Sequence, residues 1–347
     1  MKTAVWRFGF ALLPIVISVL ITMGLIVVVN ADPTEVFLNV WEGAFRDLRS
    51  FSGVINFWIP LTLCAIGLVV TFTAGLWNIG VEGQVVMGAV FASAVALNWQ
   101  LPTELLIPAE ILAAMLGGAL WAALVGVLKM WLGVNEIFGG VALNALANVF
   151  SIYLISGPWQ PPEGGSVRAT PPFRAEALLQ PLSADLDFSL VAFVIVVVVF
   201  FGVWLGLRGT RWGLQLKATG KNSRSALLLG VPTNRSAMSA FLICGAIAGI
   251  AGAYRVLFTY GNLRPLVSGG IGFLALLVVL MLSMRVFWVP LVTLVFAAIL
   301  GGSARLRVAM QLDSSLAGVL QGMLVLVVLL FNGLRGRIQR RLERDSA

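Results

Sequence analysis

Long apolar runs, separated by short polar or glycine-rich breaks, fill most of this chain. A helix needs about 20 apolar residues to cross a bilayer. By that measure the runs at 10–29, 57–75, 80–98, 105–128, 137–156, 188–207, 236–254, 270–284, 286–302 and 316–332 read as candidate spans. The third and eighth are short and open in glycine-rich polar sequence, the pattern of broken or partly inserted helices. The first follows Lys2 and Arg7 but is long, and Asn30–Pro33 after it lacks a small-x-small cleavage site, so it is expected to persist as a span. The fold class expected is all-α: a polytopic helical membrane protein of about ten spans forming a single transmembrane domain over residues 1–347.

Composition agrees. Of 347 residues, 59% are hydrophobic and 11% charged, against about 25% charged in a soluble domain. The net charge of +8 would suggest nucleic acid in a soluble protein. Here the basic residues sit between and after apolar runs, with no basic face interleaved with aromatics, so they set membrane orientation instead. No histidine is present, which removes the commonest metal ligand and general base; no metal site or catalytic residue is expected. Cys64 and Cys244 each lie inside an apolar run and behave as small hydrophobes.

Charge asymmetry fixes a topology. Residues 208–235 carry Arg208, Arg211, Lys217, Lys221, Arg224 and Arg235 and no acid, and the tail after Asn332 is basic as well. The loops 30–56 and 157–187 carry more acids than bases. The positive-inside rule puts 208–235 and both termini in the cytoplasm and the acidic loops outside. Loop 157–187 holds Pro158, Pro161, Pro162, Pro171 and Pro172 with Gly164-Gly165, which excludes regular helix there. It divides the chain into two parts of similar design, each with a glycine-containing polar stretch leading into a short span, as pseudo-repeated transporter halves with broken helices do.

Those two stretches are the most informative. In Asn78-Ile79-Gly80-Val81-Glu82-Gly83-Gln84 three polar side chains stand between apolar segments. Irregular backbone at membrane depth requires burial in protein or a wet cavity, and an intramembrane carboxylate marks function. The competing reading is a short cytoplasmic turn in water. Asn135 and Glu136 open the fifth span, where Glu136 also suits a first-turn carboxylate. Asn144 and Asn148 share a helix face, either bridging helices or lining a path. Glu110, near Pro108, reads as close enough to the outer surface to reach water. In the basic loop, Gly220-Lys221 lacks the remaining residues of a phosphate loop. Asn222 or Ser223 would cap a short helix ended by Gly230 and Pro232, with leucines 227–229 on it, a docking surface for a partner or simply an anchoring loop.

These motifs resemble, in order from about residue 57 onward, the permeases of ATP-binding-cassette importers for branched-chain amino acids, simple sugars and nucleosides, and most closely the nucleoside-uptake members. Asn78–Gln84 is similar to their Asn-Ile-Gly-x-Glu-Gly-Gln signature. Asn135-Glu136-Ile137 with Leu143-Asn144 resembles a second segment, and Lys217–Asn222 with Ala226 and Gly230 a cytoplasmic motif. Gly245…Ala248-Gly249…Ala251-Gly252 matches a small-residue helix, Ser268–Phe273 a Ser-Gly-Gly-x-Gly-Phe segment, and Gln321-Gly322 the last span. The chain departs in having Leu274-Ala275 where an acid and glycine follow that segment, and Ser223 where a proline follows Asn222.

The resemblance implies a transport subunit rather than an enzyme, in a bacterial plasma (inner) membrane. It implies a second permease subunit, identical or homologous, two ATPase subunits that hold ATP and Mg, and an external substrate-binding protein. This chain would hold no cofactor and no nucleic acid. Asn78, Glu82, Gln84, Asn135, Glu136, Asn144, Ser268, Gly270 and Phe273 become candidates for the translocation path. Lys217, Gly220, Asn222, Ala226 and Gly230 become candidates for coupling to the ATPase, with the small Ala226 against that partner. A nucleoside leads as solute, followed by simple sugars or branched-chain amino acids. A secondary transporter or channel is the alternative of a different class, disfavoured because no carboxylate occurs from Phe188 to Leu312.

Overall fold

The computed structural model describes residues 32–161, 169–282 and 285–310, with scattered positions among 20–27 and 322–330. The expected spans 10–29 and 316–332, Gln321, the C-terminal tail, Lys2 and the Gly164-Gly165 stretch lie largely or wholly outside the described residues. Among the described residues the structure is all-helical. In chain order the helices are α1 (Pro33–Phe45), α2 (Leu48–Thr73), α3 (Val81–Asn98), α4 (Thr103–Met130), α5 (Glu136–Ser156), α6 (Leu190–Gly209), α7 (Arg211–Lys221), α8 (Ser223–Leu228), α9 (Thr233–Tyr254), α10 (Ile271–Met281) and α11 (Val289–Met310). Among the described residues seven helical segments are long and apolar enough to cross a membrane, while α10, with 11 residues, is apolar but short.

Two compact units are present: Met1–Val54 with Leu294–Ala347, and Ile55–Thr293. In the first, Asp32 caps α1, its Oδ1 accepting from the Thr34 amide at 2.7 Å, and Pro33 and Glu35 suit the opening turn. α1 lies against the later part of α11 at glycines: a Cβ on Gly302 would collide with the Val40 carbonyl. Arg305 ties the two helices by pairing with Glu42 at 2.6 Å and donating to Asn39 at 3.2 Å.

The second unit is built round α3, α4 and α9, which pack on one another more extensively than any other helices described. Helix α4 shows why. Leu112, Leu116, Leu120 and Leu124, four residues apart, are exposed at 63, 54, 50 and 44%, whereas Ala114, Gly118 and Ala122 on the opposite side are buried. Water would not tolerate such a leucine stripe; lipid does, and it reverses the soluble rule by leaving small residues to make the contacts. Gly118 abuts Gly245 and Gly249 of α9, Gly249 abuts the Ala114 carbonyl, and Gly88 of α3 abuts Gly249. None of these positions has room for a Cβ, so the backbones meet directly.

α9 continues into a π-helical turn, Arg255–Tyr260, that Gly261 ends at φ 66°. The proline-rich segment beyond α5 is irregular and crosses this turn. Its Thr170 amide donates to the Leu263 carbonyl, the Phe173 amide to Gly261 and the Leu179 amide to Leu257, at 2.8–3.1 Å.

Candidate functional site

α2 cannot continue past Thr73: Gly75, at φ 75°, turns the chain into an irregular stretch that ends where α3 starts at Val81. Its first turn is open, with Trp77 41% exposed, but the polar side chains are inside protein, since Asn78 and Gln84 have no exposed surface and Glu82 has 4%. The reading of a water-filled turn is therefore overturned. Asn78 and Gln84 join amide to amide, Asn78 Nδ2 donating to Gln84 Oε1 at 3.1 Å and Gln84 Nε2 to Asn78 Oδ1 at 3.0 Å, and Asn78 Nδ2 also reaches Cys244 Sγ at 3.1 Å. Asn144 of α5 closes the other side. Its Oδ1 accepts from the Gly83 amide at 2.8 Å and its Nδ2 donates to the Ile79 carbonyl at 2.9 Å. Two buried backbone groups of the broken helix are thus satisfied by Asn144, while Asn78 and Gln84 satisfy each other's side-chain amides.

Glu82 connects this break to the other one. Oε1 accepts from Ser268 Oγ at 2.5 Å and from the Gly270 amide at 2.9 Å, and Oε2 accepts from the Gly272 amide at 2.8 Å. The donors stand at the start of α10, where Gly269 and Gly270 have φ of 62° and 78° and the amides of Gly270 and Gly272 are aimed at one carboxylate. A carboxylate on a helix N-terminus meets both unpaired N–H groups and the positive end of the dipole. Gly272 is required by closeness, because a Cβ there would sit 2.6 Å from Glu82 Oε2. The polar stretches of the two halves, separate in sequence, form one buried clamp.

Arg255 lies beside it, 5% exposed, on the π-turn. Its Nε donates to the Val267 carbonyl at 3.1 Å and its Nη2 to the Tyr260 hydroxyl, and both Arg255 and Arg264 stack on the Tyr260 ring. Leu266, at φ 55°, is the non-glycine residue with positive φ in the described backbone and stands 67% exposed between these groups. Sequence reading missed Arg255; the signal was an arginine between Ala253-Tyr254 and Val256-Leu257 in an otherwise apolar run.

Not every candidate joins the clamp. Asn135 caps α5, its Oδ1 accepting from the Ile137 amide at 2.9 Å, and Glu136 pairs with Lys129 at 2.5 Å, so both serve the α4–α5 corner. Phe273 is 45% exposed on α10 and makes no part of the buried network. Glu110 is fully buried, contrary to the expectation that it reaches water.

In the basic segment, Asn222 caps α8 through Oδ1 to the Ser225 amide at 3.0 Å, and Gly230 ends it at φ 81°. Ala226 is 3% exposed and faces its own chain, while Leu227, Leu228 and Leu229 are 61, 88 and 83% exposed. The expected contact of Ala226 with a partner is thereby corrected: the outward surface is the three leucines. Lys217 Nζ donates to the Leu207 carbonyl at 2.6 Å. Gly220 packs directly on the turn that leads into the first break, where a Cβ would strike Thr73, Ala74 and Gly75. Among the described residues no cluster of three or more metal-ligating side chains occurs.

A bundle of apolar helices interrupted at two points, with the interruptions joined by a buried carboxylate, defines a polytopic solute permease. Residues 50–329 match the family described as branched-chain amino acid transport system / permease component. The chain belongs to that family, and is a transport subunit rather than an enzyme. It is 27% identical to the glucose ABC transporter permease protein TsgB13 of Haloferax volcanii, over 93% of this chain and 87% of that one. It is 26% identical to the guanosine ABC transporter permease protein NupP of Bacillus subtilis, over 84% and 83%, and 25% identical to the nucleoside ABC transporter permease protein NupB of Lactococcus lactis subsp. cremoris, over 74% and 72%. No solved structure matches.

Proposed function

We propose that this permease passes a nucleoside or a related simple sugar inward through an ATP-binding-cassette importer. It would pair with a second permease subunit, receive solute from an external binding protein, and be driven by two cytoplasmic ATPase subunits that hold ATP and Mg. The substrate class rests on the relatives, whose names concern guanosine, nucleosides and glucose; all these solutes carry a sugar moiety.

The observation that supports the mechanism is a run of contacts from the basic segment to the clamp. The exposed leucines of α8 follow Asn222, Gly220 of α7 packs on Gly75, and the stretch from Gly75 leads through Asn78 and Gln84 to Glu82 and the start of α10. A push on α8 would reach both broken helices through rigid, polar-bonded backbone rather than through loosely packed side chains. Solute then moves because the two packings differ in affinity for it. The experiment is uptake of labelled guanosine, glucose and leucine by vesicles bearing the complete system, with and without ATP. ATP-dependent uptake of guanosine or glucose supports the reading. Uptake of leucine alone overturns the substrate class, and uptake indifferent to ATP overturns the mechanism.

A further inference from the structure

Glu110 stands apart from all the polar groups described above. It has no exposed surface, and neither carboxyl oxygen has a hydrogen-bond partner. The clamp glutamate, by contrast, has donors on both oxygens. Glu110 belongs to the same face of α4 as Ala114 and Gly118, the face that packs on α3 and α9. It lies about 16 Å along the helix from Trp121, which is next to Gly83 and the clamp, so the two carboxyls are separate sites.

The titratable surroundings are sparse. α3 carries Glu82 at its far end. α9 ends in Tyr254, whose hydroxyl donates to Asn56 Oδ1 at 2.6 Å, and continues to Arg255, already engaged with Val267 and Tyr260. The 3-10 turn Ala175–Ala177 of the external segment packs on α4 and brings Glu176 and Arg174. Arg174 is the charged side chain whose field reaches Glu110, yet its guanidinium is drawn to the Trp99 carbonyl. An ionised carboxylate without donors or counter-ion is not sustained in apolar packing, whereas a neutral acid is.

We propose that Glu110 is a proton-binding site of the permease, neutral in this conformation and ionised, with its proton lost to water, when the external segment shifts along the outer end of α4 so that Arg174 leaves the Trp99 carbonyl and pairs with it. The counter-charge is adjacent, and it is carried by a segment that backbone hydrogen bonds tie to Leu257, Gly261 and Leu263 around the π-turn. Proton occupancy would thereby be linked to the position of the outer cover. The linkage to transport rests on the permease reading, but the protonation itself does not.

Infrared difference spectra of the wild-type subunit and E110Q, in membranes, test the first half. A neutral carboxyl band present in the wild type and lost in E110Q is expected, and an ionised-carboxylate difference in its place would overturn the proposal. ATP-dependent uptake measured from about pH 6 to about pH 9 tests the second half. Wild-type uptake should vary with pH while E110Q, fixed neutral, is slower by at least about tenfold and flat. A neutral band with identical pH profiles in both proteins would overturn the link to the cycle and leave a fixed packing feature. Absence of uptake with the band intact would count against the permease reading alone.

Discussion

Replacing Glu82 probes the junction of the two broken helices most directly. The carboxylate accepts three hydrogen bonds, at 2.5, 2.9 and 2.8 Å, from Ser268, Gly270 and Gly272. A glutamine keeps the shape but turns one oxygen into a donor. With its oxygen kept toward Ser268 and Gly270, its amide nitrogen faces the Gly272 N–H, and one charge-assisted bond becomes a donor–donor contact. Bonds to charged groups contribute about 1.5–3 kcal/mol each, so Glu82→Gln should shift the packing equilibrium by roughly tenfold to a hundredfold. Glu82→Ala removes every acceptor and leaves the Gly270 and Gly272 amides unmet, at about 1–3 kcal/mol for each buried group, so it should be the more damaging. Glu82→Asp, shorter by about 1.5 Å, cannot reach both ends of the turn. The assays are thermal denaturation of the detergent-solubilised subunit and ATP-dependent uptake in vesicles. Losses should rank alanine above glutamine in both. Wild-type melting and uptake in Glu82→Gln and Glu82→Ala together would refute the clamp.

Gly245→Ala should destabilise the helix core by about 1–3 kcal/mol or block folding, because its Cβ meets Gly118 and Ala122, whereas Gly202→Ala on α6, with open space around it, should be neutral in melting temperature. Leu228→Asp should leave the subunit folded but reduce copurification of the ATPase, since this side chain is 88% exposed; unchanged copurification would remove α8 as the docking surface. With Cys64 and Cys244 replaced, an impermeant thiol reagent on intact cells should label Ser183→Cys and spare Ser223→Cys, and the reverse would invert the topology.

Most helices were legible because apolar length and glycine breaks are local signals, and the cap at Asn222 could be read residue by residue; α1 was not, since it falls in a stretch read only as an acidic outer loop. The polar stretches 78–84 and 268–273 were equally visible as candidates. Their joining was not, since 186 residues separate Glu82 from Ser268 and nothing in a single chain records that pairing. Burial was the quantity misjudged. Ala226 turns inward where a small outward contact was expected, and Glu110 is sealed although it lies only two turns into α4. Asn135 and Glu136 share a motif with Asn144 in sequence, yet α5 takes Asn144 two turns further into the packed interior while they remain at its mouth.

The π-turn at Arg255–Tyr260 has a geometric consequence. A π-turn holds one residue more than the α-turn it replaces, so α9 carries spare chain just before Gly261. Each residue of an α-helix advances the azimuth by about 100°, and absorbing that surplus into regular helix would swing everything beyond it through about that angle. The strained turn around Leu266 and the amides that hold Glu82 are the parts such a swing would move first. Such slack would let the far end of α9 change direction without altering how its near end, sealed by glycine contacts, is packed, like a ratchet with one spare tooth.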